Sequence, residues 1–488
     1  MLAPTLSRRF TVVLAFLSTL LLLGLVIHRD KIPSASSFKI SLMKQKPTPP
    51  KQPKPRYKKK PDYLPPPIKD NFPLIASSTP PPIPKWNVAP PDLHKKFDLP
   101  EAPPLLIGFS RSWPILLQAV ASYITAGWPA DQIYVVENTG VQQANSRGQL
   151  SLQNPFFLNH TALKTLGVNI IQTPTLLSFA QLQNFYLSLS YTHSWSYYFW
   201  SHMDVLVLSY EDGKENLTPK YNDPDYQPLY ALALRALRDA RRNDPRWATR
   251  FFSYDHLTAV NPLAYEDVGG WDTLIPYYIT DCDMHSRLAM RNWTMLDARA
   301  GIITDVSTSL EDLGALYRID GIDAQFLDPN PPRPENTNNN NKKNNKREHT
   351  RCEATFDMLD MILSPRREES QRPPSQQLDA RTRVGIYRRS NDAEDPNLAR
   401  WRKLLKTADT MFHYKHGSRG RNTWQTGQHG GQGEPFYYDA AGLAEAIDLA
   451  TENGKEVYRR KWGHRDCDLI KGGGLMFDDQ WKVEKDWE

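Results

Sequence analysis

Two segments of the chain place acidic residues directly beside strongly apolar runs. In the first, the apolar run YYFW is followed by SHMD, which ends at Asp204, and then by the apolar run VLVL. Carboxylates are rarely buried unless they are paired or bind a metal. The pattern therefore predicts a buried strand that is interrupted by a short polar turn. Asp204 is a candidate ligand, and the competing interpretation is an aspartate that caps the end of the strand.

The second segment, residues 268–288, begins with a Gly-Gly-Trp-Asp turn and continues into a predicted helix. Asp281 and Asp283 open that helix, and Arg287 lies one turn later. Two acids spaced i and i+2 cannot share one helix face. We therefore expect at most one of them to be functional and the other to cap the helix N-terminus. In the alternative interpretation both are caps and ion-pair partners of Arg287.

Between residues 105 and 291 the apolar pattern alternates between strand and helix periods. Strands are predicted at residues 105–110, 132–137, 168–172, 197–208 and 251–260, and helices at residues 113–128, 162–167, 179–192, 228–239 and 281–291. Strand, helix and strand within a short stretch predict a parallel sheet. Ligand-type residues at the carboxyl ends of the strands are typical of nucleotide-binding sheets.

This order of segments resembles the GT-A glycosyltransferases, which bind a nucleotide-sugar and usually a divalent cation. The resemblance covers residues 104–317 and implies an α/β fold with a GT-A-like mixed sheet flanked by helices. In that family, the last Asp of an Asp-x-Asp or x-x-Asp turn holds the cation on the diphosphate. Here His202-Met203-Asp204 fills that position, so that one Asp of the pair is present.

The resemblance also implies roles for individual residues. Asp204 would bind Mn²⁺ or Mg²⁺, with His202 and, from a later region, His413 as further ligands. Asp283 is the favoured base for the acceptor hydroxyl, and Asp281 would then cap the helix. In the alternative, Asp281 is the base and Asp283 is the cap. The donor nucleotide would contact Phe109, Ser110, Arg111, Glu137 and Asn138, and the acceptor would contact Gly270, Trp271 and Asp272. Turn chemistry at Asn138, a surface position for Arg111 and a core position for Trp271 are the alternatives.

The regions outside this core have distinct compositions. Residues 10–27 form an apolar run that follows Arg8 and Arg9 and is about long enough to cross a bilayer. Residues 1–31 are therefore expected to be a cytoplasmic tail and signal anchor, with a cleaved signal peptide as the alternative. Residues 32–104 are rich in Pro and Lys and predict an extended stem.

The low-complexity tract within residues 328–380 predicts a disordered insertion between the core, residues 105–327, and a C-terminal extension, residues 381–488. In the extension, helices are predicted at residues 396–415 and 437–461, with a Gly-rich stretch between them. The three cysteines allow at most one internal disulfide. The sequons at Asn159, Asn216 and Asn292 are potential glycosylation sites in a lumenal protein.

The net charge of +6 is modest for 488 residues, and much of the basic excess lies in tracts predicted to be disordered. A folded nucleic-acid-binding face is therefore not expected. The sequence favours a single-pass type II membrane protein of the Golgi or ER whose lumenal domain transfers a sugar, with inversion, from a nucleotide-sugar to a glycan or glycoprotein. The alternative is a catalytically inactive GT-A-like glycan-binding or scaffold protein. An anchored hydrolase is disfavoured because the Gly-x-Ser-x-Gly and His-Glu-x-x-His motifs are missing.

Overall fold

The computed structural model describes residues 15–23, 55–60, 63–77, 79–328, 395–417, 428–436 and 439–487. The chain divides into two compact units, Met1–Asp62 and Tyr63–Glu488. In the first unit, residues 15–23 are helical and exposed. Over the described ranges, no helix combines the length and the apolar character that a membrane span requires. Residues 10–14 and 24–27 of the predicted anchor, and residues 329–380 of the predicted insertion, lie outside these ranges.

The second unit is an α/β domain. Its strands are β1 Leu105–Phe109, β2 Ile133–Glu137, β3 Asn169–Gln172, β4 Tyr198–Ser201, β5 Val205–Leu208, β6 Trp247–Phe252, β7 Leu257–Val260, β8 Thr294–Ala298 and β9 Ile302–Asp305. Its α-helices are α1 Leu74–Ser77, α2 Trp113–Thr125, α3 Gln142–Ser146, α4 His160–Thr165, α5 Phe179–Thr192, α6 Leu229–Asn243, α7 Pro262–Asp267, α8 Thr280–Met290, α9 Pro396–His416 and α10 Ala440–Trp462.

Seven strands form one mixed sheet in the order β3-β2-β1-β4-β7-β6-β8. Parallel pairs join β1 to β2 and β4, β2 to β3, and β6 to β8. The strand β7 is antiparallel to both of its neighbours and so runs opposite to the other six. The strands β5 and β9 form a separate antiparallel pair. This mostly parallel sheet flanked by helices fits a nucleotide-binding, Rossmann-like fold.

The strand period of two divides the core between the two faces of the sheet. On β1, Leu105 and Ile107 face a cluster that α2 and α6 cover. Leu106 faces the opposite cluster, which α5, α7 and α8 cover. Helices on both faces bury the interior strands β4, β6 and β7 along their whole length, whereas the edge strands β3 and β8 keep exposed residues.

Three features differ from the sequence prediction. The predicted strand at residues 251–260 is a hairpin, in which β6 and β7 are joined by a turn at Tyr254–His256. The strands β8 and β9 were not predicted. Residues 63–77 and 79–104 do not form a separate stem, because Phe72, Ile75 and Leu99 are buried in the core of the domain.

The C-terminal part of the chain is attached to the core by specific contacts. Leu404, Ala408 and Met411 of α9 are buried in the main cluster. A disulfide joins Cys282 of α8 to Cys467, five residues after α10. The prediction of at most one internal disulfide agrees with this pairing.

Candidate functional site

The carboxyl ends of β1, β2 and β4 lie at one edge of the sheet, which we call the carboxyl edge. The chain leaves β1 for β2 on one side, and β4 later returns to the other side of β1. The helix after β1 covers one face of the sheet, and α5, which precedes β4, covers the opposite face. The gap between the ends of β1 and β4 is therefore the topological switch point, where open α/β sheets bind ligands.

His202 follows β4 directly and lies at this switch point. Its Nδ1 is 3.6 Å from Asp204 Oδ1, and its Nε2 is 3.4 Å from Asp255 Oδ2. Burial alone would lower the pKa of His202, but the charges of Asp255 and Asp204 raise it to about 10. The imidazole is therefore an imidazolium at neutral pH. Asp255 responds in the opposite sense, because the charge of His202 outweighs the effect of burial and lowers its pKa to about 2.

Asp204 and Asp305 form a buried acidic pair that a lysine bridges. Lys415 Nζ donates to Asp204 Oδ2 at 2.7 Å and to Asp305 Oδ1 at 2.5 Å, and His416 Nε2 lies 2.9 Å from Asp305 Oδ2. We call these four residues the lysine cluster. Burial alone would raise the pKa of Asp204, but the charge of Lys415 and the His202 imidazole hold it well below its ordinary value.

The β5–β9 pair fixes the spacing of the two carboxylates. Val205 is the ladder partner of Asp305, and the Val306 amide donates to the Asp204 carbonyl at 2.9 Å. The lysine arrives from the last turn of α9. That helix is held by Trp401, whose Nε1 donates to the Ser209 carbonyl at 3.0 Å just after β5. The two carboxylates and the ammonium are therefore brought together by rigid elements.

The β6–β7 hairpin brings His256 to the same edge. Its Nδ1 lies 2.7 Å from the Ser253 carbonyl, which closes the turn, and its Nε2 lies 3.8 Å from Asp305 Oδ1. Burial lowers the pKa of His256 more than the nearby acids raise it. His256 is thus a neutral imidazole beside the charged lysine cluster.

The two acids of α8 lie in different environments. Asp283 is fully buried, and its Oδ2 accepts from Arg287 at 2.9 Å. Its Oδ1 lies 2.7 Å from Lys461 Nζ and 2.9 Å from Trp462 Nε1. Both oxygens are engaged, so the structure does not place Asp283 where a base can reach an acceptor hydroxyl.

Asp281 lies in the first turn of α8 and is only half-buried. One of its oxygens accepts a hydrogen bond from the Tyr254 hydroxyl at 2.8 Å. Tyr254 belongs to the same hairpin turn as Asp255, so this contact ties Asp281 to the carboxyl edge. Of the two acids, Asp281 has the geometry of an accessible carboxylate, which reverses the preference drawn from the sequence.

The predicted acceptor residues, Gly270, Trp271 and Asp272, contact other parts of the protein. Trp271 is 4% exposed, and its ring packs against those of Phe179 and Tyr265 at centroid distances of 5.5 and 6.1 Å. A Cβ on Gly270 would lie 2.8 Å from Asn184 Oδ1, and its φ is +73°. Asp272 is paired with Lys461 at 2.8 Å. The indole is therefore enclosed rather than presented to a sugar.

The predicted donor residues after β2 are structural in the same way. Glu137 is fully buried, and its carboxylate bonds to His160, Asn145 and Gln172 at 2.8, 2.8 and 2.9 Å. Asn138 bonds to both the amide and the carbonyl of Leu177. Together they hold the loops that follow β2 and β3.

After β1, Phe109 is a core residue and Ser110 is half-buried. Arg111 is 2% exposed, contrary to a surface position. Burial lowers its pKa to about 10 despite the nearby Tyr277 and Asp448, so that it remains charged at neutral pH.

The proposed ligand role of His413 does not agree with the structure. Its side chain is 73% exposed and lies 3.6 Å from Asp409, away from Asp204. The buried face of α9 contains Leu404, Ala408, Met411 and Lys415. His413 is two residues from Lys415 and so lies roughly 200° away from it around the helix axis. His416, which directly follows Lys415, contacts Asp305.

A divalent cation at Asp204 requires carboxylate oxygens that are not already taken. In the lysine cluster, Asp204 Oδ2 and Asp305 Oδ1 accept from Lys415, and the second oxygen of Asp305 faces His416. In the part of the chain that the structure describes, no group of three or more His, Cys, Asp or Glu side chains is arranged to hold a metal. The residues present therefore do not fit a divalent cation in this arrangement.

No protein-family model and no curated protein matches the sequence. Among solved structures, the chain is similar to the mannosyltransferase PcManGT from Pyrobaculum calidifontis in complex with GDP-Man and Mn²⁺, with 13% identity and a TM-score of 0.27 over 44% of this chain and 60% of that one. It is also similar to a cytidylyltransferase from Leptospira borgpetersenii, with 10% identity and a TM-score of 0.24 over 41% of this chain and 81% of that one.

Proposed function

We propose that the chain is a glycosyltransferase that moves a sugar from a nucleotide-sugar to a hydroxyl group of a glycan or glycoconjugate. The observation that carries the proposal is the convergence of charged side chains at the switch point of the sheet: His202 directly after β4, Asp255 in the β6–β7 hairpin and Asp281 in α8. Ligands of open α/β sheets bind at this place. The accessible cation suits an anionic donor, and the accessible carboxylates suit a hydroxyl acceptor.

The donor diphosphate is assigned to the gap between the ends of β1 and β4. The His202 side chain is 32% exposed and is charged at neutral pH, so it presents a positive group to this gap. The buried guanidinium of Arg111 adds positive potential behind the end of β1. Preorganised positive charge stabilises the negative charge that grows on the departing nucleoside diphosphate.

The acceptor hydroxyl is assigned to the side of Asp281. Its carboxylate takes the hydroxyl proton while the acceptor oxygen bonds to the anomeric carbon of the sugar. The bond from that carbon to the diphosphate oxygen breaks, and its electrons leave with the nucleoside diphosphate. The Tyr254 hydroxyl, 2.8 Å from Asp281, orients the carboxylate. A general base must lie within hydrogen-bond reach of the proton that it removes.

A binding protein without activity is the second candidate. It is favoured by the engagement of Asp204 and Asp283, the two acids singled out from the sequence, in buried ion pairs. Such a protein would bind a nucleotide or a glycan at the same edge. It would not consume a nucleotide-sugar in the presence of any acceptor.

A lumenal position in the ER or Golgi is part of the proposal. The Cys282–Cys467 disulfide supports it, since disulfides persist in oxidising compartments. Two of the sequon residues, Asn216 and Asn292, are exposed and would be open to glycosylation. Enzymatic removal of N-glycans from the secreted or membrane-extracted protein should reduce its apparent mass. An unchanged mass, together with free thiols at Cys282 and Cys467, would contradict a lumenal position.

The test of the proposed function is a binding screen with nucleoside diphosphates, followed by a transfer assay. Each diphosphate is titrated into the full chain, and binding is measured by the shift in melting temperature and by calorimetry. We expect one nucleoside diphosphate to bind and His202→Ala to weaken its binding, while Arg400→Ala, at an exposed ion pair near the start of α9, leaves the binding unchanged. If no nucleoside diphosphate binds, or if His202→Ala leaves the affinity unchanged, the proposed donor site is excluded.

A further inference from the structure

We propose that the ammonium of Lys415 is the built-in cation of this site, so that the acidic pair Asp204 and Asp305 binds no divalent cation. The inference concerns the cation of the site and rests on the proposed function only where the nucleotide is involved. The residues present do not fit the divalent cation that the resemblance implies.

The hydrogen-bonding capacity of the ammonium is fully used. An ammonium has three N–H donors. In Lys415 they face Asp204 Oδ2 at 2.7 Å, Asp305 Oδ1 at 2.5 Å and the Val306 carbonyl at 3.2 Å. These three oxygens come from two carboxylates and a backbone carbonyl, which are the hard ligands that a Mn²⁺ or Mg²⁺ ion would use. The lysine nitrogen therefore lies at the point where a cation would contact all three.

Charge favours the lysine as an occupant of this position. The side chains of Lys415, Asp204 and Asp305 are 2%, 9% and 3% exposed. Buried carboxylates need an opposite charge close by. The ammonium thus neutralises part of the acidic pair without a bound ion.

The helix that carries Lys415 leaves the ammonium little freedom to move away. The positions Leu404, Ala408 and Met411 bury the same face of α9 in the core. Arg402 pairs with Asp212 at 2.9 Å on another side of the helix. An entering cation would have to displace a buried ammonium from a fixed helix and leave it without partners. Lys415 is therefore favoured over a divalent cation between Asp204 and Asp305.

The role of Lys415 is that of a positioning residue, because its donors are already used and none remains for a phosphate. It holds Asp204 at 3.6 Å from His202, the imidazolium that faces the switch point. Nucleotide binding at that point should therefore persist when divalent cations are removed by EDTA. The response to Mn²⁺ separates the two proposals, because it can be measured even if the chain binds no nucleotide.

The experiment compares the full-length wild-type chain with Lys415→Met, with Asp204→Asn, with Lys415→Met/Asp204→Asn and with Lys403→Met. Lys403 is on the same helix, but its partner Asp323 is exposed, so it serves as the matched control. Mn²⁺ alone is titrated and followed by electron paramagnetic resonance and by melting temperature. We expect no binding at the site in the wild type or in Lys403→Met, and an increase in Mn²⁺ affinity of about tenfold or more in Lys415→Met. The added Asp204→Asn should remove that increase.

Two results would overturn the inference. One is Mn²⁺ binding by the wild type that Asp204→Asn abolishes. The other is a folded Lys415→Met variant that gains no Mn²⁺ binding, because the acidic pair would then not be a cation position. If Lys415→Met folds only with metal, its recovery in Mn²⁺ supports the inference. If Lys415→Met does not fold in either condition, the melting temperature of the wild type is the test. A wild-type melting temperature that Mn²⁺ leaves unchanged supports the inference. A rise with Mn²⁺ that depends on Asp204 contradicts it.

Discussion

The ammonium of Lys415 donates to the carboxylate of Asp204 at 2.7 Å across 211 positions of sequence. Asp204 is held by the start of β5, and Lys415 by the last turn of α9. The same ammonium reaches Asp305 at the end of β9, so that the smaller sheet and the C-terminal helix share one buried ion cluster. The C-terminal part of the chain is therefore a component of the candidate site.

Replacing Lys415 with Met should destabilise the domain by about 3–5 kcal/mol, because it leaves buried carboxylates without their cation. The free energy of unfolding in metal-free buffer, from urea denaturation, measures the effect. Lys403→Met removes an exposed pair on the same helix and should change stability by less than about 1 kcal/mol. Equal losses in the two variants would show that the cluster contributes nothing beyond a surface pair.

The contribution of His202 to stability should depend on pH in a defined window. The pKa of a free histidine is about 6.5, and in the folded domain the neighbouring acids raise the pKa of His202 to about 10. Because the folded value is the higher one, the stabilisation is complete below about pH 6.5 and is lost as the pH rises toward about 10.

The measurement is the difference in unfolding free energy between the wild type and His202→Gln at a series of pH values. The difference should be constant from about pH 5 to about pH 6 and should shrink from about pH 6.5 to about pH 10. A difference that grows with pH would mean that His202 is neutral in the folded domain.

Local signals allowed much of the fold to be predicted. The predicted bounds of α5, residues 179–192, agree with the structure, and Ser178 and Gln181 form a capping box at its start. The β6–β7 hairpin was not predictable in this way. Ser253 and Tyr254 take positive φ values of 60° and 55° in its turn, although neither is Gly, Asn or Asp. The sequence therefore lacks the residue types that usually take positive φ at these two positions, and Asp255 and His256 were not recognised as site residues.

The lysine cluster depends on long-range packing, which sequence periods do not report. Asp305 reaches Asp204 only because β9 pairs with β5, and the apolar residues Ile302 and Ile303 before it do not specify that partner. One signal for Lys415 was present: it continues the spacing of Leu404, Ala408 and Met411 on the apolar face of α9. A charged residue at a core position of a helix indicates a buried partner.

The close contact between β1 and α5 can be tested at Gly108. A Cβ at this position would lie 2.5 Å from the Tyr186 hydroxyl and 2.7 Å from Leu182 Cδ2. Gly108→Ala should therefore cost about 1–3 kcal/mol in unfolding free energy through overpacking. Adding Tyr186→Phe removes the nearest atom and should recover part of the loss. No recovery in the double variant would place the strain elsewhere.

The two acids of α8 provide the sharpest test of the proposed mechanism. Asp281 is half-buried and bonded to Tyr254, so Asp281→Asn should leave the fold intact and lower sugar transfer by about 100- to 10,000-fold, the range for loss of a general base. Binding of the nucleoside diphosphate should persist, since the base acts on the acceptor. Asp283→Asn should instead lower stability by about 3–5 kcal/mol, because Arg287 and Lys461 lose a buried partner.

Turnover, nucleotide affinity and urea denaturation are measured on both variants, with Asp267→Asn as the control. Asp267 lies at the end of α7, where its carboxylate accepts from Trp293 at an exposed position. Because Asp281 and Asp283 are only two positions apart on one helix, a general disturbance of α8 would affect the two variants alike. If Asp283→Asn abolishes transfer with unchanged stability and Asp281→Asn does not, the base is Asp283 and the buried ion pair must open during the reaction. If both variants transfer sugar at the wild-type rate, α8 carries no base.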